Sequence, residues 1–175
     1  MQKLILRVPN GARWGKWRDF QFCYKSYAKG FSLKVQPYQG FFFDDTSLNG
    51  IRLHCSDGSM ITSTVGPDGT WSKAKTCKKS GHLTSFSLRV QATAPFENTA
   101  ANNIKFKCTD GSELEGDGHA WGKYGPWSQS CKKGGICGIQ TKVDVRMWYE
   151  NPPYRRRSFL RDLTGLNDVK FVCCN

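Results

Sequence analysis

Thr46-Ser47-Leu48-Asn49-Gly50-Ile51-Arg52-Leu53-His54-Cys55 is the first of three copies of one ten-residue pattern in this 175-residue chain. The pattern is Thr, two residues, Asn, one residue, a β-branched residue, a base, an apolar residue, one residue and Cys, and it returns at residues 99–108 and 164–173. Spacings of this size mark repeated supersecondary units that are too small to bury an apolar face alone. We therefore predict a body with pseudo-threefold symmetry.

An alternating run precedes each copy of this pattern. Phe31-Ser32-Leu33-Lys34-Val35-Gln36 matches residues 86–91, and residues 139–144 form a weaker third copy. Strict period-two alternation predicts strands with one buried and one solvent-facing side. In the first unit Leu33, Val35, Ile51 and Leu53 are the predicted inward residues.

The organisation of the whole chain follows from these runs. No long amphipathic helical pattern occurs, and Gly66-Pro67-Asp68-Gly69 and Gly116-Asp117-Gly118 are strong turn signals between the units. We predict an all-β protein that forms a single domain over residues 1–175, with repeats at about 14–65, 66–120 and 121–175.

Eight cysteines in repeated positions predict disulfides and an oxidising, extracellular compartment. The predicted bridges are Cys23–Cys55, Cys77–Cys108, Cys131–Cys174 and Cys137–Cys173. For the last two the opposite assignment stays open: the adjacent Cys173 and Cys174 pair with each other only in a strained ring, so Cys131 and Cys137 take them in either order. A zinc site is the alternative, but no C-x-x-C pair supports it. We predict neither a metal nor another cofactor.

The net charge of +12 favours polyanionic partners, namely acidic glycans, nucleic acid or anionic lipid surfaces. For a secreted, disulfide-bonded protein the acidic glycan is the preferred partner of these, and no specific nucleic acid is expected. The alternative is that the charge only keeps a secreted protein soluble. No apolar run approaches the length of a transmembrane segment.

The bases recur at equivalent positions. One set lies in the alternating runs, at Lys34, Arg89 and Lys142; another lies in the ten-residue pattern, at Arg52, Lys105 and Lys170. We predict that both sets stand on the outer faces of the sheets as a basic belt, although ordinary polar-out alternation also explains them. A further polyanion contact is predicted in the longest inter-strand loop, at Arg155, Arg156 and Arg157; the alternative is a solvated loop.

Several stretches resemble one known family. Residues 43–55, Gly125-Pro126-Trp127-Ser128 and Gly30-Phe31-Ser32-Leu33-Lys34-Val35 are similar to the vitelline membrane outer layer protein 1 family, and the resemblance runs from about Trp14 to Cys174 with the cysteine framework. It implies a β-prism of three Greek-key sheets around a pseudo-threefold axis, with a Trp-rich interior. It also implies secretion into an extracellular coat and binding to mucin-like fibres.

The resemblance further implies a carbohydrate-binding region at the top of the prism and a lysozyme-like transfer activity on chito-oligosaccharides. Such chemistry needs two carboxylates, one of them protonated. The repeat-equivalent acids are Asp44, Glu97 and Asp162, which threefold symmetry would bring together at one end. Capping of their own turns, or sugar binding without chemistry, are the alternatives. Asp45, Phe42 and Phe43 are candidate sugar contacts beside them, and Asn49, Asn102 and Asn167 are predicted to form turns.

These observations predict a secreted, disulfide-stabilised protein that binds mucin-like or acidic glycans or builds an extracellular coat. Two other classes of function stay open. One is a glycan-modifying enzyme, a lysozyme-like glycosyl transferase or hydrolase. The other is a defence or toxin module that acts on anionic membranes.

Overall fold

The structure is a computed structural model that describes residues 3–36, 48–66, 69–91, 100–143 and 165–175. These residues contain fourteen β-strands and no helix, which confirms the all-β prediction. In chain order the strands are β1 (Leu4–Leu6), β2 (Lys16–Trp17), β3 (Gln21–Phe22), β4 (Ala28–Val35), β5 (Leu48–Cys55), β6 (Met60–Thr62), β7 (Thr70–Trp71), β8 (Lys75–Thr76), β9 (Leu83–Gln91), β10 (Ala100–Cys108), β11 (Glu113–Glu115), β12 (Lys123–Tyr124), β13 (Gly135–Val143) and β14 (Leu166–Cys174).

The strands form three antiparallel sheets. Sheet I has the order β6-β5-β4-β7, with β8 also beside β4, and sheet II has the order β11-β10-β9-β12. Sheet III has the order β1-β14-β13-β2, with β3 also beside β13. In sheets I and II a fourth strand returns to lie beside the first, which is the Greek-key order. Sheet III has the same arrangement, with three of its strands, β1, β2 and β3, supplied by the beginning of the chain, so the predicted three-sheet β-prism is confirmed.

The sheets are offset from the sequence repeats. Strands β7 and β8 belong to the second repeat, yet they pair with β4 of sheet I. Strand β12 of the third repeat pairs with β9 of sheet II, and β2 and β3 of the first repeat pair with β13 of sheet III. Each repeat therefore supplies an edge to the neighbouring sheet, and the three repeats interlock around the axis.

Three disulfides join neighbouring sheets in a closed ring. Cys23 follows β3 of sheet III and is bonded to Cys55 of sheet I. Cys77 follows β8 of sheet I and is bonded to Cys108 of sheet II. Both bridges were predicted from the repeat. The third bridge runs from Cys131, whose backbone N–H donates to β9 of sheet II, to β14 of sheet III.

The predicted pairing within the third repeat, Cys131–Cys174 and Cys137–Cys173, is wrong. Cys131 is bonded to Cys173, and Cys137 is bonded to Cys174 within sheet III. Successive side chains of a strand point to opposite faces. Cys173 therefore takes the position that Cys55 has in the first repeat and faces the neighbouring sheet, whereas Cys174 faces the other side, toward β13. The third copy of the ten-residue pattern ends at Cys173, as the first copy ends at Cys55, so the repeat itself indicates the bond from Cys131 to Cys173.

The inward side chains of all three sheets meet in one apolar core. Leu33, Ile51 and Leu53 are fully buried, as predicted, and Val35 packs against them at the edge. The largest side chains of the core are four phenylalanines, each at most 1% exposed: Phe31, Phe86, Phe106 and Phe171. The expected Trp-rich interior is wrong, because no tryptophan that the structure describes belongs to the buried core.

The repeated asparagines lie inside strands, so the prediction that they form turns is wrong. Leu48 and Gly50 pair with consecutive residues of β4, which leaves Asn49 between them as an extra residue. The pairing shifts in the same way at Asn102 and at Asn167. All three side chains are buried. Such β-bulges bend a strand and increase its twist, which helps each sheet to curl around the axis.

Candidate functional site

Three of the predicted binding residues, Lys34, Arg89 and Lys142, lie within the described residues. The other predicted site residues lie outside them: Phe42, Phe43, Asp44, Asp45, Glu97, Arg155, Arg156, Arg157 and Asp162. The catalytic and sugar-binding roles assigned to those nine residues stay predictions.

The residues next to the three long segments outside the described ranges lie at one end of the prism. Nε2 of His119 is 2.7 Å from the carbonyl oxygen of Gln36, which precedes the first segment. The backbone N–H of His119 donates to the carbonyl oxygen of Asn102, which follows the second segment. A Cβ on Gly165, which follows the third segment, would lie 2.3 Å from Oδ1 of Asn49. The segments that carry the predicted acids therefore begin and end at this same end.

The predicted basic belt is a set of bases in contact with aromatic rings. In sheet I, the guanidinium carbon of Arg52 lies 4.0 Å from the centroid of the Trp71 ring. Trp71 pairs with Lys34 in the neighbouring strand, and Nζ of Lys34 donates to the carbonyl oxygen of Gly66. All three side chains are half-buried. The bases thus occupy the predicted outer face, but they lie against an aromatic ring rather than extending freely into solvent.

The same arrangement recurs in sheet III. Nζ of Lys170 is 3.9 Å and Nζ of Lys142 is 5.8 Å from the centroid of the Trp17 ring. Trp17 pairs with Lys142 in the neighbouring strand. A cation placed over an aromatic face within about 6 Å of its centroid contributes roughly 0.5–1 kcal/mol at exposed sites. The base and ring contacts are therefore a modest stabilising feature of this face.

Sheet II carries a larger version of this cluster. Nζ of Lys105 is 4.5 Å from the Tyr124 ring and 5.0 Å from the Trp127 ring. The guanidinium carbon of Arg89 is 5.4 Å from the Tyr124 ring, and Nζ of Lys107 is 4.5 Å from the Trp127 ring. Strand pairing makes Tyr124, not Trp127, the counterpart of the tryptophans in the other two sheets.

The sequence contains a signal for these aromatic partners. A glycine with positive φ stands two residues before each ring, at Gly15 (φ 88°), Gly69 (φ 97°) and Gly122 (φ 83°). A Cβ on Gly69 would lie 2.6 Å from the backbone of Val35, so the close approach of the two strands requires glycine there. The spacing Gly-x-aromatic is a partial signal only, because Gly125-Pro126-Trp127 shows it as well and the positive φ of Gly122 separates Tyr124 from Trp127.

Asp168 is a half-buried carboxylate at the edge of the sheet III cluster, where it pairs with Lys142. Burial raises its pKa to about 6, although the Val169 N–H, Lys142 and Lys170 oppose this shift. Oδ1 of Asp168 accepts a hydrogen bond of 2.8 Å from the backbone N–H of Val169. Asn103 holds the equivalent position in sheet II and accepts the corresponding bond from Ile104.

Replacing Asp168 with asparagine is expected to stabilise the protein by about 1–2 kcal/mol near pH 8 and to have little effect below about pH 4. The folded carboxyl titrates at about 6, above the value of about 3.9 in an unfolded chain. The folded state therefore binds more protons between these values, and stability falls as the pH rises through this window. Asparagine keeps the acceptor for Val169 without the charge. Denaturant unfolding from acid to mildly alkaline pH measures the difference, and a constant difference across this range would contradict it.

The part of the chain that the structure describes holds neither a metal-binding cluster nor a membrane-spanning helix. Within those residues, no three His, Cys, Asp or Glu side chains lie close enough together to hold a metal ion. No helix within those residues is long and apolar enough to cross a membrane.

The three-sheet architecture has counterparts among solved structures. The Calsepa lectin in complex with a bisected glycan matches with a TM-score of 0.60 at 11% identity, over 100% of this chain and 99% of the lectin. Frutapin, a lectin from Artocarpus incisa, matches with a TM-score of 0.59 at 13% identity, over 99% of each chain. The artocarpin–mannopentose complex matches with a TM-score of 0.54 at 13% identity, over 99% of this chain and 97% of artocarpin. At these identities the likeness shows the fold alone, which is a β-prism of three sheets.

The sequence also matches a protein family. Residues 4–175 match the vitelline membrane outer layer protein I (VOMI) family. The vitelline membrane outer layer protein 1 homolog of Mus musculus is 45% identical, over 97% of this chain and 83% of that protein. The Homo sapiens homolog is 44% identical, over 97% and 82%. The chain belongs to the vitelline membrane outer layer protein I family, which confirms the resemblance seen in its sequence.

Proposed function

We propose that this protein is an extracellular carbohydrate-binding protein whose ligands are acidic, mucin-like glycans. The observation that carries the proposal is the cluster of bases and aromatic rings repeated on the outer faces of all three sheets. Bases recognise sulfate and carboxylate groups through charge-assisted hydrogen bonds, and aromatic faces offer apolar surface to a sugar ring. We further propose that residues 1–175 act as one domain.

Three other observations support the proposal. Four disulfides fit an oxidising, extracellular compartment. The lectins of similar fold include complexes with a bisected glycan and with mannopentose. The net charge of +12 favours an acidic ligand over a neutral one.

A glycan array probed with the purified protein at low and at physiological salt tests the proposal. Binding to sulfated or sialylated glycans is expected, and it should weaken at the higher salt concentration because screening reduces attraction between exposed charges. Salt-insensitive binding to neutral chito-oligosaccharides would contradict the acidic ligand. It would favour a site at the end of the prism where the segments that carry the predicted acids begin and end. The absence of binding to every glycan would contradict the proposed function as a whole.

A further inference from the structure

One position on the outer face differs in charge between the three sheets. The base of the ten-residue pattern has a cross-strand neighbour at the same place in each sheet. In sheet II, Lys105 pairs with Glu115. In sheet I, Arg52 pairs with the neutral Thr62. In sheet III, Leu6 pairs with Phe171, so the antiparallel register places the next residue, Arg7, beside Lys170.

Sheet III therefore holds like charges where sheet II holds opposite charges. Burial, followed by the positive charge of Arg7 and with a smaller effect of Lys142, lowers the pKa of Lys170, and the negative charge of Asp168 opposes this shift. Like charges in directly opposite positions of a sheet are destabilising. Asp168 is the one carboxylate in the described strands of sheet III, and with a pKa of about 6 it is ionised at neutral pH and offsets one of the bases. Arg7, Lys142 and Lys170 carry three positive charges against this one carboxylate, so the face keeps an excess of positive charge, and a bound anion would relieve the repulsion.

An aromatic side chain extends this basic face toward the other end of sheet III. Phe22 lies over β13, where a Cβ on Gly138 would be 2.7 Å from its ring, so the glycine makes room for it. The ring is 42% exposed. Nζ of Lys3 lies 4.6 Å from its centroid. An exposed ring beside several bases fits a ligand that has both apolar ring faces and acidic groups, as a charged sugar chain does.

We infer that the outer face of sheet III binds a sulfated or carboxylated glycan chain, with Arg7, Lys142 and Lys170 contacting its acidic groups and Phe22 stacking on a sugar ring. This assignment rests on the proposed function. It locates glycan binding on one face of the protein and names one class of ligand. Sheets I and II have the same fold and similar base and aromatic clusters, but they lack two adjacent bases at the matched position.

Replacing Arg7 with glutamate tests the assignment, because it gives sheet III the charge pattern of sheet II. Affinity for a fluorescent heparin octasaccharide is expected to fall roughly tenfold or more at low salt, since a charged hydrogen bond is replaced by repulsion. The melting temperature is expected to stay the same or to rise, because the repulsion of Lys170 is relieved. The matched control is Lys73→Glu, an exposed residue outside sheet III, which changes the net charge by the same amount and is expected to leave the affinity nearly unchanged.

Replacing Phe22 with alanine tests the stacking contact separately. Its loss of affinity is expected to persist at physiological salt, whereas the effect of Arg7→Glu is expected to shrink there because of screening. Both variants are checked by circular dichroism and thermal melting, so that a folding defect is distinguished from the loss of a contact.

The possible results separate this inference from the proposed function. Equal weakening by Arg7→Glu and Lys73→Glu would overturn the assignment to sheet III, because net charge alone would then explain binding. Glycan binding by the unaltered protein that Arg7→Glu leaves intact would overturn the assignment and leave the proposed function standing. Binding of anionic phosphatidylserine vesicles in place of the octasaccharide, with the same sensitivity to Arg7→Glu, would overturn the glycan as ligand.

Discussion

Replacing Phe106 with alanine is expected to reduce the free energy of unfolding by about 3–5 kcal/mol, the usual range for deleting a buried phenylalanine ring. The Phe106 side chain is 0% exposed. Its ring centroid lies 4.7 Å from that of Phe31 in sheet I and 5.2 Å from that of Phe171 in sheet III. The ring thus connects the inner faces of all three sheets, and its removal leaves a cavity that no single sheet can close. Denaturant unfolding followed by far-ultraviolet circular dichroism measures the loss.

Two control variants locate the effect in the core. Phe106→Leu keeps most of the buried volume and is expected to cost less than half as much as the alanine variant. Tyr24 is 76% exposed, so Tyr24→Ala is expected to change stability by no more than about 0.5 kcal/mol. A loss at Phe106 no larger than that at Tyr24 would contradict the central role of the phenylalanine cluster.

Replacing both Cys23 and Cys55 with alanine is expected to cost about 3–4 kcal/mol, because the unfolded chain regains the entropy of a loop of this length. The sequence separation of the bridge is 32 residues. The bridge also joins sheet III to sheet I, so its removal is expected to increase hydrogen exchange along the seam between these sheets. Denaturant unfolding gives the global change, and exchange monitored by mass spectrometry gives the local one.

The bridge between Cys137 and Cys174 is the matched control. Its sequence separation of 37 residues is similar, but it connects β13 and β14, which are already paired within sheet III. The alanine double variant of this bridge is expected to show a similar global loss without faster exchange at the seam between sheets III and I. Equal exchange at that seam in both double variants would contradict the idea that the first bridge holds two sheets together.

Much of the fold could be predicted from the sequence because the repeat supplies three versions of one structural unit. Alternation in the segment Phe31–Gln36 correctly separates the inward Leu33 from the outward Lys34. Corresponding cysteines in the first two repeats predict their bridges correctly. Local periodicity carries this information, since the side of a strand on which a residue lies depends only on its position along that strand.

Less of the candidate site could be predicted from the sequence. The bases of the outer faces were predicted, but not the rings of Trp17, Trp71 and Tyr124 that cover them, because each ring arrives on an edge strand from the neighbouring repeat. The asparagines resembled turn residues because Asn is frequent in turns. In the folded protein they are buried bulge residues, an outcome that depends on how two strands distant in sequence align.

Composition and spacing were sufficient for the all-β class, the threefold repeat and the outward side of the bases, because these properties follow from local pattern and from similar copies of one unit, and the family followed from a resemblance of particular stretches. The exchange of edge strands and the placement of Arg7 beside Lys170 arose only when three sheets closed around a common core. Closure sets the register between strands that are far apart in the chain, and no local pattern specifies that register.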